Sequence, residues 1–91
     1  MYLVLCYDIT ANRRRARLHK ALCGFLEPVQ KSVFEGELSS ERYETLRRVV
    51  EDTIDQEEDT VRIYRLDKAS RMATELIGSS VTVQGDQDVV V

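Results

Sequence analysis

The chain has no tryptophan, one proline, one histidine, two cysteines and four glycines among its 91 residues. Each scarcity excludes something. No glycine-rich run follows a strand pattern, so the phosphate loop of nucleotide-binding folds is absent. A single histidine and two isolated cysteines offer no zinc cluster and no redox motif. Cys6 and Cys23 read as reduced residues of an intracellular chain, with a disulfide between them the lesser alternative. Ser32 has no base in sight to make it a nucleophile. No apolar run approaches the length of a membrane span, and no leader precedes the first strand-like residues. A cytoplasmic location without membrane association is expected.

What is there suits one small globular domain: 43 % hydrophobic and 32 % charged residues, without repeats, low-complexity tracts or linkers. A chain of this size buries roughly 60–65 % of its unfolded surface, which leaves little core to spare. The net charge of -3 argues weakly against nucleic acid, but the distribution does not. Six basic residues face two acids up to residue 34, and seven face fourteen afterwards. Such a split suggests one polyanion-facing surface on an acidic body.

Hydrophobic periodicity places the elements. Tyr2 to Tyr7 is apolar on both faces, as in a central strand. Asn12 is a candidate N-cap for an amphipathic helix with Leu18, Ala21, Leu22, Phe25 and Leu26 on one stripe. Gly24 weakens its last turn and Pro28 bars continuation. Residues 29–38 read by pattern as one long strand, because Lys31-Ser32 is a poor hairpin pair. Ser39 or Ser40 caps a second helix with Tyr43, Leu46, Val50 and Ile54 on its buried side, ended by the acidic run 55–59. Thr60 to Leu66 is a strand. Residues 68–75 hold a helical turn, and Leu76-Ile77-Gly78, 81–83 and 89–91 are short β-formers.

This order predicts an α+β sandwich of the ferredoxin-like kind, with both helices on one face of the sheet. The other face would be bare although the first strand is apolar on both sides. A homodimer is therefore expected, with a strand-forming tail able to extend the partner's sheet.

Asp8 shares a strand face with Tyr2, Val4 and Cys6. Taken alone it reads as a turn or capping aspartate. Across a two-fold axis it would meet its own copy, and two carboxylates suffice for a hydrated Mg²⁺ that activates water toward phosphorus. Arg13, Arg14, Arg15, Arg17 and Lys20 crowd one helix start. As a solvated face they oppose the helix dipole, at about 0.3–1 kcal/mol each. A phosphate reverses that sign by meeting the dipole, free amides and guanidinium forks together. His19 reads as exposed, Phe34 as core or interface, and Arg62 and Arg65 as lying on opposite strand faces.

"YDI" at 7–9, the arginines from 13 to 17, "VQKSVFEG" at 29–36 and "VRIYRL" at 61–66 together resemble the CRISPR-associated protein two family, the small core protein of spacer acquisition. The resemblance spans residues 1 to about 78. It implies a ferredoxin-like βαββαβ homodimer over 1–78, with an additional C-terminal strand in 79–91 pairing with the partner subunit. It also splits the pattern-read strand at 29–38 into a hairpin near Lys31-Ser32. Asp8 matches the family's metal-binding and catalytic aspartate, with Mg²⁺ as cofactor. Arg13, Arg15 and Arg17 match basic positions on DNA backbone, and Arg14 and Lys20 extend that patch. The implied function is a scaffold that binds double-stranded prespacer DNA and bridges integrase dimers of CRISPR-associated protein one. Mg-dependent endonuclease activity on RNA or double-stranded DNA accompanies it in some members. A free-standing toxin-type endoribonuclease is the alternative, and a ligand-sensing regulatory module a distant third. Glu27-Pro28 departs from the family pattern, which commonly has a basic residue there.

Overall fold

The computed structural model describes residues 1–78. The expected tail pairing at 79–91 lies outside the described residues. Strand β1 (Tyr2–Asp8) leads into helix α1 (Asn12–Leu22), then β2 (Glu27–Gln30) and β3 (Val33–Glu37). Helix α2 (Ser40–Thr53), β4 (Thr60–Leu66) and a short α3 (Lys68–Met72) follow. The sheet order is β2-β3-β1-β4, with every neighbouring pair antiparallel. This is the ferredoxin-like arrangement, with β1 in the interior of the sheet.

A period of two along β1 divides the molecule. Leu3, Leu5 and Tyr7 are buried beneath the helices, with Leu18 and Leu22 of α1, Leu46 and Val50 of α2, and Phe34 of β3. The alternate residues Tyr2, Val4 and Cys6 are only half-buried and Asp8 is exposed. One face therefore carries the core and the other is left open. Arg71 of α3 stacks on the Tyr2 ring at 4.0 Å and approaches Glu37 at 3.6 Å, covering the Tyr2 end of the open face. Among the described residues nothing covers the Asp8 end.

Four local readings change. Residues 29–38 are not one strand: the chain turns at Lys31-Ser32, with Ser32 at φ 65°. A single positive φ at the second turn residue fits neither primed hairpin turn. The register shift between Pro28 and Gln30 absorbs the mismatch, and the Ser32 carbonyl is fixed by the Tyr7 amide at 3.1 Å. Pro28 is tolerated because β2 is an edge strand. Gly36 belongs to the same hairpin because a Cβ there would stand 3.1 Å from Leu26 Cδ2.

Helix α1 ends at Leu22, one turn early, and Phe25 and Leu26 reach the hydrophobic layer from the following turn. Asn12 is not its cap: Ala11 holds that position and no side chain caps the helix. Leu76 and Ile77 form no strand and are exposed in the single chain, with no strand paired to them among the described residues. Ser39, by contrast, caps α2, its Oγ accepting from the Arg42 amide at 3.1 Å.

Candidate metal and nucleic-acid site

The β1–α1 connection carries both halves of the candidate site. Asp8 closes β1 on the open sheet face, opposite Thr60 of β4. Its carboxylate accepts no hydrogen bond and joins no ion pair among the described residues, so it neither caps α1 nor closes a turn. What it does line is a depression of about 320 Å³ shared with Cys6, Thr60, Arg62 and Tyr64. No group of three or more potential ligands of the His, Cys, Asp or Glu type gathers anywhere among the described residues. One exposed carboxylate per chain fits Mg²⁺, which keeps most of its water and takes one or two carboxylates, and fits no dehydrated all-protein cage.

The basic cluster separates into three groups once its contacts are drawn. Arg14 turns inward. Its Nε donates to Asp59 Oδ2 at 2.7 Å and its Nη2 to Asp59 Oδ1 at 3.2 Å, with Glu58 at 3.4 Å. Arg15 folds back over the helix start, donating to the Ile9 carbonyl at 2.7 Å and to Asn12 Oδ1. Arg13, Arg17 and Lys20 are exposed and have no hydrogen-bond or ion-pair partner among the described residues. Their spacing of four and three puts them on one stripe of α1. The first turn of α1 also has no acidic residue and no side-chain cap, so its leading amides and dipole remain uncompensated.

Asp59 is the residue that sequence reading overlooked. It lies in an acidic run read only as the end of α2, and its partner Arg14 is 45 positions away. Its side chain is fully buried and also accepts from the Thr10 amide at 3.2 Å and the Asp55 amide at 2.9 Å. It thereby ties the turn after Asp8 to the loop before β4. The Arg14 hydrogen bond, helped by those two amides and opposed by burial, holds its carboxyl at about 2, against an ordinary 3.8. A carboxyl depressed in the folded state stabilises the fold above its unfolded value and loses that contribution as pH falls toward the folded one. Acid titration of the wild type should therefore lose stability between about pH 4 and pH 2. Asp59→Asn, already weakened at neutral pH, should show a flatter acid slope in thermal melts; an unchanged slope would remove Asp59 as its source.

The remaining sequence candidates settle elsewhere. His19 is half-buried rather than exposed, with its ring edge-on to Phe34 at 5.1 Å between centroids. Phe34 is fully buried in the core. Arg65 faces the helix side beside the Tyr43 ring at 5.0 Å, whereas Arg62 stands on the Asp8 face. No described helix is long and apolar enough to cross a membrane.

Comparison with known proteins agrees with this geometry. The family model of CRISPR associated protein Cas2 matches residues 1–74. A relative from Chloroflexus aurantiacus named CRISPR-associated endoribonuclease Cas2 1 is 36 % identical over 92 residues, covering 100 % of this chain and 99 % of the relative. The crystal structure of Streptococcus pyogenes Cas2 superposes with a TM-score of 0.76 at 24 % identity, over 86 % of this chain and 100 % of that one, a likeness of fold. A chain of a partial Cas6-RT-Cas1–Cas2 complex superposes with a TM-score of 0.74 at 29 % identity, over 84 % of this chain and 89 % of that one. With a ferredoxin-like sheet, an unengaged Asp8 at its open face and a family match over most of its length, the chain belongs to the CRISPR-associated Cas2 family.

Proposed function

We propose that the protein acts in CRISPR adaptation as a homodimeric scaffold. In this reading it binds double-stranded prespacer DNA and bridges Cas1 integrase dimers, with Mg-dependent phosphodiester hydrolysis at Asp8 as an accompanying activity. One observation carries the DNA assignment: among the described residues Arg13, Arg17 and Lys20 have no partner and share a single stripe that runs from an uncapped helix start. A phosphate at the Arg13 end gains the dipole and the free amides, and a nucleic-acid backbone following the helix meets Arg17 and Lys20 as well. Arg14 and Arg15 hold the turn that presents the stripe, through Asp59 and the Ile9 carbonyl. The Cas1 partnership is supported by the structural likeness to a chain of a complex that contains Cas1 and Cas2.

Dimerisation follows from the bare Asp8 end of the open sheet face, where Cys6 is only half-buried and Tyr64 is 46 % exposed. Face-to-face pairing about a two-fold axis would cover this surface and bring two Asp8 carboxylates to one place, together holding a hydrated Mg²⁺. Such an ion supplies Lewis-acid polarisation of phosphate oxygens and an activated water. The protein's own part is to hold the carboxylate on a rigid interior strand, fixed through Asp59, Arg14 and the Thr10 amide.

A second reading, a free-standing endoribonuclease, draws on the name carried by the Chloroflexus relative and on the same Asp8. One experiment separates the two. The purified protein is mixed with a Cas1 integrase from the same organism and a duplex of about 30 base pairs, and complex formation and integration into a repeat-bearing plasmid are measured. Co-elution of all three components with integration dependent on this protein is expected. Failure to bind duplex with or without the integrase, alongside cleavage of single-stranded RNA, would overturn the scaffold in favour of the ribonuclease.

A further inference from the structure

The open sheet face carries a second charged group that neither the stripe nor the Asp8 assignment uses. Asp8 pairs across the sheet with Thr60, and Arg62 stands two residues further along β4, opposite Cys6. The period of two puts Asp8, Cys6, Thr60, Arg62 and Tyr64 on one face. Diagonal neighbours of this kind lie about 7–8 Å apart along the sheet. Asp8 and Arg62 line the same depression of about 320 Å³, and Arg62 is its one cation among the described residues.

The two charges do not pair with each other within 4 Å, so in the single chain the space between them is open, and in the face-to-face dimer proposed above it would lie at the two-fold seam beside the paired Asp8 carboxylates. Arg62 instead donates from Nη1 to the Tyr64 hydroxyl at 3.3 Å, which leaves most of its five-donor fork unused. Other guanidiniums of this chain are engaged elsewhere: Arg14 on Asp59, Arg15 on the Ile9 carbonyl, Arg42 on the Gly24 carbonyl and Arg71 against Tyr2. An exposed guanidinium held by a neighbouring hydroxyl, beside a carboxylate able to take a cation, matches a phosphodiester. Its non-bridging oxygens accept a guanidinium fork on one side and a metal on the other.

We propose that Asp8 and Arg62 form a single phosphodiester-binding hollow, in which Arg62 grips the phosphate that Asp8 serves and Tyr64 holds the guanidinium in place. The proposal deepens the reading of Asp8 given above and rests on it for the hydrolytic step. In that step water adds to phosphorus, one P–O ester bond breaks, and the leaving oxygen gains a proton from solvent. Arg62 transfers nothing. It offsets the charge that builds on the non-bridging oxygens.

The test uses the intact protein and two probes, a hydrolysis-resistant phosphorothioate single-stranded RNA and a duplex DNA of about 30 base pairs. Each is titrated without Mg²⁺ while the arginine Nε–H resonances are followed. The Arg62 resonance should move with at least one probe. With Mg²⁺ and the cleavable counterpart, Arg62→Gln should lower kcat on the order of 10²–10³-fold, with KM changed by less than about threefold. Arg62→Lys should recover part of the loss, and Arg62→Gln should keep the wild-type sedimentation coefficient. A stationary Arg62 resonance, or a change of oligomeric state in Arg62→Gln, would overturn the proposal, the latter by making Arg62 an interface residue. Wild-type cleavage left intact by Arg62→Gln would overturn it while sparing Asp8. A wild type whose Arg62 resonance moves but which cleaves neither substrate would uphold the hollow and refute hydrolysis at Asp8.

Discussion

Asp8→Asn is expected to lower Mg-dependent cleavage by more than about 100-fold while leaving folding and duplex binding intact. Loss of a mere outer-shell partner of a metal costs about 10–100-fold, and in the function proposed above Asp8 is the metal-binding carboxylate itself, one per chain, with no ligand cluster among the described residues to compensate. The fold should not register the change. Asp8 is exposed and accepts no hydrogen bond among the described residues, so its replacement belongs with surface substitutions that shift stability by about 0.5 kcal/mol or less. This separation makes the variant informative. Activity measured at saturating Mg²⁺, a denaturant melt and duplex affinity should move independently, with only the first changing. Cleavage persisting in Asp8→Asn would place the chemistry elsewhere or in a contaminant, and a lost fold would return Asp8 to a structural role.

The combined replacement of Arg13, Arg17 and Lys20 by alanine should act in the opposite sense, on binding and its salt dependence. On the proposed two-fold dimer the stripe would occur twice and so offer six phosphate contacts. Each contact contributes about 0.9 to the slope of log affinity against log salt, so the slope should fall by roughly five. Affinity for duplex near physiological salt should drop by at least about tenfold, without regard to sequence. The helix itself should change little, because Arg13 leaves a first turn that lacks an acidic residue or a cap whereas Lys20 leaves the last turn, where a cation suits the dipole. Arg14→Ala is the contrasting control: it strands the buried Asp59 carboxylate and should lower thermal stability. A triple variant with an unchanged salt slope would show that duplex DNA lies on another surface.

Much of this was legible in the chain. The alternation along β1 told which residues face the core and put Asp8 with Tyr2, Val4 and Cys6, because a strand's side-chain period leaves no other arrangement. The stripe of α2 and a serine cap at 39 or 40 were equally readable, since both depend on spacing within one helix, and the structure settles the cap on Ser39. The hairpin at Lys31-Ser32 was not legible in the local pattern, and only the family resemblance implied it. Local preference argues against a positive φ at serine, and the turn is held by a bulge next to it and by the Tyr7 amide from another strand. The cap of α1 failed for a related reason. Asn12 Oδ1 is taken by Arg15, and the helix start is fixed by the Ala11 backbone rather than by a capping side chain.

By itself, then, the sequence determined most of the elements, the alternation along β1 and the presence of an acid and a basic run at one strand–helix junction. All of these are short-range quantities, written in residues within a turn or a strand of each other. Only the tertiary structure decided which arginine does what. Asp59 arrives from 45 residues away to claim Arg14, the Ile9 carbonyl takes Arg15, and the exposed stripe is what remains. Pairing of β4 with β1 likewise brings Arg62 beside Asp8, a neighbourhood set by strand register and by nothing local to either residue. Charge along a chain shows that a basic surface exists. Which of its members stay available depends on where buried carboxylates and carbonyls come to rest, and long-range packing settles that.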